Sequence, residues 1–273
     1  MSVRFPDARL KSKWAKGHIR HLNAALHTFL QKNPYTFREY EELYTGDRVF
    51  QSAIKSDIDS EIPLILGDAL HNMRSALDYV VQGLITERVD AGLIPAVADD
   101  QQFRIGLPVL RNAPTAGHVY PALVNRKVQL AGQASVQYFM SLEAYPGGKG
   151  NAIWQLDTLN NIDKHRLIIP VAHVIVESAI YQTPRLIAPW LASTMAFARK
   201  TKRPVPLKDG AEVYRIKNGP SKMDMHVDLV PDIAFNEPQV IERQSVREAI
   251  QSLADVVDAI LDEIDATLPN PVP

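Results

Sequence analysis

Between Gly67 and Tyr79 the chain reads GDALHNMRSALDY, and no other stretch restricts the fold as much. Wound into a helix at about 100° per residue, Leu66, Ala69, Leu70, Met73, Ala76, Leu77, Val80, Val81 and Leu84 form one broad apolar face. Asp59 or Ser60 can cap that helix, and Pro63 suits its first turn, where a missing N–H leaves nothing unpaired. The opposite face carries Asp68, His71, Asn72, Ser75, Asp78, Tyr79 and Gln82, with Arg74 at its edge. A solvated helix face is rich in Lys and Glu, and this face has neither. Its short polar groups disfavour helix and hydrogen-bond at fixed range. The pattern predicts a helix buried on both sides, apolar on one and polar on the other. Buried polar groups must be paired whatever their role, so a structural hydrogen-bond network and a binding or catalytic site are both open readings.

The chain has 273 residues, enough for one large domain or two small ones. Its formal net charge of −1 supplies no global attraction to nucleic acid or an anionic membrane, so any such attraction must come from a local patch. There is no Cys, which excludes disulfides, thiolate catalysis and cysteine-based zinc sites and fits a reducing compartment. The N-terminus lacks the apolar core of a signal peptide, and no run approaches the ~20 apolar residues of a membrane span. The expectation is a cytoplasmic protein without membrane contact.

Along the chain, residues 8–32 read as a helix with Leu10, Trp14, Leu22, Ala25, Phe29 and Leu30 on its apolar side and a basic beginning of Arg4, Arg9, Lys11, Lys13, Lys16 and Arg20. That basic start is either a solvated face or a nucleic-acid contact. His18, His21 and His27 lie close in sequence but only some share a face, and no carboxylate is spaced to join them in a metal site. Asn33-Pro34 ends the helix. Residues 47–57 read as a short strand or an irregular crossing, and residues 91–121, rich in Pro, Gly and Ala, as a surface excursion.

Helix resumes over 122–143, with Leu123, Val124, Val128, Leu130, Val136, Phe139 and Leu142 as core, and again from Asn151, read as its cap, through NNIDKHRL. The intervening Gly147-Gly148-Lys149-Gly150 has glycines but not the spacing of a phosphate loop. Residues 166–182 are β-branched and read as a strand interrupted at Pro170. Residues 183–210 are a linker or loop around Trp190 with a basic knot of Arg199, Lys200, Lys202 and Arg203. Residues 211–217 and 223–230, joined by Asn218-Gly219, read as a hairpin in which His226 faces solvent or the neighbouring strand. A last helix spans about 239–268, its Asp255, Asp258, Asp262 and Asp265 forming an acidic, solvated stripe.

The expected fold is α+β in one domain over 1–273: a helical bundle core over 8–165, a β-rich insertion with a small antiparallel sheet over 166–236, and a C-terminal helix over 238–268 that rejoins the bundle.

The two polar-rich helices supply the candidate site. Arg74, His71 and His165 are the candidate catalytic groups. Asp68, Asn72, Ser75, Asp78, Tyr79, Asn160, Asp163 and Arg166 complete the cluster. Asp163 falls on the core side of its helix, and an inward carboxylate needs a partner. The expectation is that the two helices pack side by side, with Asp163 paired to His71 or Arg74. Arg can stabilise phosphorane charge and His can move protons near neutral pH, as in a metal-independent ribonuclease. A metal hydrolase would draw on His71, His165, Asp68, Asp78 and Asp163, but no HExxH or Glu-x-x-His pattern accompanies them. Ser75, in a helix interior without a nucleophile elbow, fits a serine hydrolase less well still. No cofactor and no metal is implied.

GDALHNMRSALD together with NNIDKHR, after a basic first helix ending in Asn33-Pro34-Tyr35, resembles a widespread bacterial family of uncharacterised proteins. The resemblance covers most of residues 10–170. The chain is also faintly similar to the HEPN helical-bundle superfamily, many of whose members are ribonucleases that set an Arg and, four to six residues on, a His at a dimer interface. Arg74 matches the Arg; the position of the His is Tyr79, and a phenol is a poorer proton shuttle than an imidazole near neutral pH. Arg20 and His27 also satisfy the spacing. The resemblance implies an RNA-binding or RNA-cleaving protein using Arg74 and the basic segments, with RNA and a second copy of the chain as partners. The residues alone equally allow a non-catalytic interaction or regulatory module whose polar motifs are structural.

Overall fold

The computed structural model describes residues 4–114, 124–168, 170–182, 197–218 and 224–268; for 177–182, 197–203 and 224–226 only the backbone is described. The fold is α+β. Six helices are described: α1 (Pro6–Gln31), α2 (Glu61–Asp90), α3 (Asp99–Gln102), α4 (Gln133–Ser141), α5 (Asn151–His165) and α6 (Val246–Thr267). Seven strands are described: β1 (Tyr35–Glu41), β2 (Arg48–Ile54), β3 (Val171–Gln182), β4 (Phe197–Pro206), β5 (Glu212–Ile216), β6 (Asp224–Glu237) and β7 (Ile241–Ser245). They pack as two compact units. The first comprises residues 1–23, 63–168 and 247–273; the second comprises 24–62 and 169–246.

The first unit is helical and built on α2. Every residue of the predicted apolar face, from Leu66 to Leu84, is buried. Full burial of one such side chain contributes about 1.5–3 kcal/mol, so this face is a large contributor to the unit's stability. Ile250, Leu253, Val257, Ile260, Leu261 and Ile264 of α6 and Ile153, Leu156 and Leu159 of α5 are buried as well.

Polar contacts fix how the helices lie. Arg9 donates to Asp262 (2.9 Å) and Asp265 (2.8 Å), Ser12 donates to Asp258 (2.6 Å), and Lys16 pairs with Asp258. Partner numbers fall as α1 numbers rise, so α1 and α6 are antiparallel. Three carboxylates of the predicted solvated stripe thus bind α1, because the basic start of α1 lies beside them. Such pairs at the surface contribute roughly 0.2–1 kcal/mol each, which sets register more than stability. Lys11 to Asn72 (3.2 Å) and His18 to Asp68 (4.0 Å) run α1 antiparallel to α2 in the same way. Leu10 and Trp14, expected in the core, are 51% and 60% exposed, since the neighbours of α1 occupy its other sides.

Further corrections concern the connections. Residues 105–108 are buried, Leu107 completely, so part of the predicted surface excursion enters the core. The helix expected over 122–143 is shorter: a 3-10 turn at Val128–Ala131, then α4, separated by Gly132 at φ +93°. Val128 and Phe139 are its buried members, whereas Val124 is exposed. Leu123 lies outside the described residues. Asn151 is the first residue of α5 rather than its cap, and its side chain accepts the Gly147 N–H (3.0 Å).

The second unit holds two antiparallel sheets, ordered β1-β2-β5 and β4-β3-β6-β7. The expectation of one sheet over 166–236 missed β1; the stretch 47–57, read as a short strand or an irregular crossing, holds β2, and the two strands pair with each other. It also paired the wrong strands. β5 joins β2, with Arg48 opposite Ile216, and β6 joins β3 and β7. Strand β6 keeps the expected alternation in part: Val227 and Leu229 are half-buried, and Asp228 between them is exposed. The side chains of His226, Arg199, Lys200, Lys202 and Arg203 lie outside the described residues, as does Trp190. The turn between β1 and β2 is braced by Arg215, which donates to Glu42 (2.7 Å) and Asp47 (3.1 Å), while Asp47 accepts the Asn218 N–H (2.8 Å).

Among the described residues no helix is long and apolar enough to cross a membrane.

Candidate functional site

Helices α2 and α5 lie antiparallel in the first unit, Arg74 meeting Asp157 and, further along, Gly67 meeting Asp163. Two clusters follow from this, and they differ in how completely their polar groups are satisfied.

The first centres on Arg74, which is 3% exposed. Its Nε donates to Asp157 Oδ1 (2.6 Å), its Nη1 to Asp78 Oδ1 (2.6 Å) and its Nη2 to the Leu107 carbonyl (2.9 Å). Asp78 Oδ1 also accepts the Leu107 N–H (2.9 Å), and Asp157 Oδ2 accepts from Asn161 (3.1 Å). Burial by itself would lower the pKa of this guanidinium. The charges of Asp78 and Asp157 outweigh that and hold it above its ordinary value. A buried charge is tolerated only when paired and hydrogen-bonded, and here the pairing ties three segments together: α2, α5 and the 105–108 turn. Asp157 replaces the expected partner Asp163. Gly106 completes the cluster, because a Cβ on it would strike the Asp78 carboxylate.

The second cluster centres on Asp163. Its carboxylate rests against Gly67, where any Cβ would collide with it. It accepts the Ile168 N–H, yet its Oδ1 is buried without a hydrogen-bond partner. Burial raises the pKa of this carboxyl, and the charge of Asp68 raises it further. The Ile168 N–H and His71 pull it back only in part. An inward carboxyl whose pKa is raised by burial and by a like charge is a functional-site candidate.

The remaining sequence candidates divide by exposure. Asp68 and His71 are exposed, so the polar face of α2 is covered only along part of its length. Asn72 is half-buried, donates to the Asp68 carbonyl (2.8 Å) and accepts from Lys11. Ser75 is half-buried and Asn160 is buried. His165 and Arg166, at the end of α5, are exposed. Tyr79 borders a recess of about 1720 Å³ together with Arg4, Arg9 and Glu87. Arg4 is bound there to Glu87 (2.8 Å) and the Leu268 carbonyl (2.7 Å). Among the described residues, Arg74 and Tyr79, the pair at HEPN-like spacing, therefore have no partner in common. Among the described residues, no three of His, Asp and Glu converge as metal ligands would.

Sequence reasoning missed Asp157, Leu107 and Gly106. The Arg74–Asp78 pair was legible at i,i+4, and Asp157 sits one turn before Asn161, on the same strip of α5.

Asp163 carries a pH-dependent prediction. The folded chain holds the Asp163 proton to higher pH than the unfolded chain does, so the charged form costs stability once pH exceeds the raised value. Below the ordinary carboxylate range both states are protonated and the cost vanishes. Asp163→Asn keeps the Ile168 bond and removes the charge. It is expected to stabilise by about 1 kcal/mol near pH 7, allowing for partial solvent screening. Urea denaturation across pH should show the difference shrinking toward zero with acidification. A variant less stable than wild type at pH 7 would contradict this account.

Compared with family models, curated proteins and solved structures, the chain matches none of them.

Proposed function

We propose that this chain is a non-catalytic interaction module in which the Arg74 motif is architecture. One observation carries the reading: the Arg74 guanidinium is buried and already bound to two carboxylates and a carbonyl. A guanidinium that stabilises a phosphate or a phosphorane must present free donors to it. Extracting this one would leave the part-buried Asp78 and Asp157 without their cation. Part of the basic start of α1 is similarly committed, with Arg4, Arg9 and Lys16 held by carboxylates. The absence of Cys fits work in a reducing cytoplasm.

A second reading, RNA binding or cleavage of the HEPN-like kind, has its own support in the Asp163 cluster. There the charge of an exposed imidazole, His71, acts on a carboxyl whose pKa is raised by burial and by Asp68. Incubating purified protein with labelled single-stranded, structured and transfer RNAs, with and without chelator, separates the two. The interaction-module reading expects no cleavage by wild type. Chelator-resistant cleavage that disappears in Arg74→Lys, a variant that keeps the charge, would overturn it. Cleavage lost in His71→Ala but kept in Arg74→Lys would move the chemistry to Asp163.

A further inference from the structure

The α1 face turned away from α2 and α6 has features that the core of its unit does not explain. Leu10, Trp14, Gly17 and His21 follow at spacings of four, three and four residues, a single stripe along the helix. Leu10 and Trp14 are each more than half exposed, and Trp14 leans on His18 with ring centroids 6.4 Å apart. Gly17 lies in the helix interior, where glycine is the least favourable residue other than proline. A Cβ there would meet only Arg20 Nη2, at 3.9 Å, so nothing in the unit requires glycine at that position. Glycine without an internal reason fits a close backbone approach from outside.

Charge identifies what approaches. Lys11 and His18 flank the stripe on the α2 side, and Lys13 and Arg20 flank it on the other. Lys13 and Arg20 are exposed and bind no carboxylate among the described residues. The acids nearby are Asp7 at the N-terminal end of the stripe, Asp68, which faces His18, and Asp258, Asp262 and Asp265 of α6, which are already engaged by Ser12, Arg9 and Lys16. We propose that this stripe docks an acidic amphipathic helix of a partner protein. Its apolar side chains would pack on Leu10 and Trp14, its backbone would cross at Gly17, and its carboxylates would sit beside Lys11, Lys13 and Arg20. A second copy of the chain fits poorly, because two-fold pairing sets cationic flank against cationic flank. The inference rests on the interaction-module reading and names the partner's chemistry.

The test uses the full chain and three labelled probes followed by fluorescence anisotropy. They are a synthetic amphipathic peptide with a Leu seam flanked by Glu, its twin flanked by Lys, and an oligouridylate. The Glu peptide is expected to bind at least about tenfold tighter than the Lys twin. Trp14→Ala and the pair Lys13→Glu/Arg20→Glu should each weaken it about tenfold, with the melting temperature of Trp14→Ala unchanged because its side chain is exposed. Gly17→Gln should weaken binding while raising the melting temperature, a combination that a purely structural glycine cannot give. Equal binding of both peptides, or no effect of Trp14→Ala, would overturn the proposal. Oligouridylate binding with the same Trp14 dependence, and none of the Glu peptide, would assign the stripe to nucleic acid instead. None of these outcomes depends on Arg74, so failure here leaves the cleavage result unmoved.

Discussion

Replacing Arg74 by Ala should cost the fold about 3–5 kcal/mol, the usual effect of removing one partner from a buried ion pair. Two carboxylates, Asp78 and Asp157, would be left facing each other across the hole, and the Leu107 carbonyl would lose its donor. For a chain of this size that corresponds to a fall in Tm of about 10 °C. Urea denaturation followed by far-ultraviolet circular dichroism measures it. A catalytic arginine behaves differently, since its removal often leaves stability unchanged or improved. A cost below about 1 kcal/mol would therefore favour the RNA reading.

Gly106→Ala is the second large effect. The added methyl would strike Asp78 Oδ1, the atom that accepts both Arg74 Nη1 and the Leu107 N–H. That carboxylate cannot swing aside without breaking both bonds. Overpacking alone costs about 1–3 kcal/mol, and loss of the ion pair adds to it. The structure predicts that Gly106→Ala is at least half as damaging as Arg74→Ala. Combining the two should cost far less than the sum, because both break the same contact. Full additivity would mean that Gly106 matters for a reason unrelated to Arg74.

The sequence record is clearest where the physics is local. The apolar face of α2 follows from helical period alone, and every residue named on it is buried. The residues of the α2 motif were also identifiable, because short polar side chains on a helix face without Lys or Glu are anomalous. Their partners were not. Asp157 and Asp163 lie six residues apart on α5, about 240° around the helix, and only tertiary placement decides which one Arg74 meets. Composition misled at Leu107: a Pro- and Gly-rich stretch reads as surface, yet this residue gives both its backbone groups to Asp78 and Arg74.

Strand pairing failed for a related reason. Asn218-Gly219 between two alternating runs is a strong hairpin signal. Nothing local records that β5 pairs with β2, far away in the chain. Strand β1 left almost no trace, because Arg38, Glu39, Tyr40 and Glu41 are all exposed and carry no buried alternation. The acidic stripe of α6 and the basic start of α1 each looked solvated in isolation, and their meaning lies in being opposite one another.

The central claim is that Arg74 joins α2 to α5 as structure. A double-mutant cycle between Arg74→Met and Asp157→Leu, read by urea denaturation near neutral pH, tests it most directly. Arg74→Met strands Asp157 and Asp78 together, Asp157→Leu leaves Arg74 with Asp78 alone, and the double variant leaves only Asp78 without its cation. The account predicts a coupling of about 2 kcal/mol, with the double variant more stable than Arg74→Met alone. Effects that add within about 0.5 kcal/mol would show that Arg74 does not depend on Asp157 and would contradict the account.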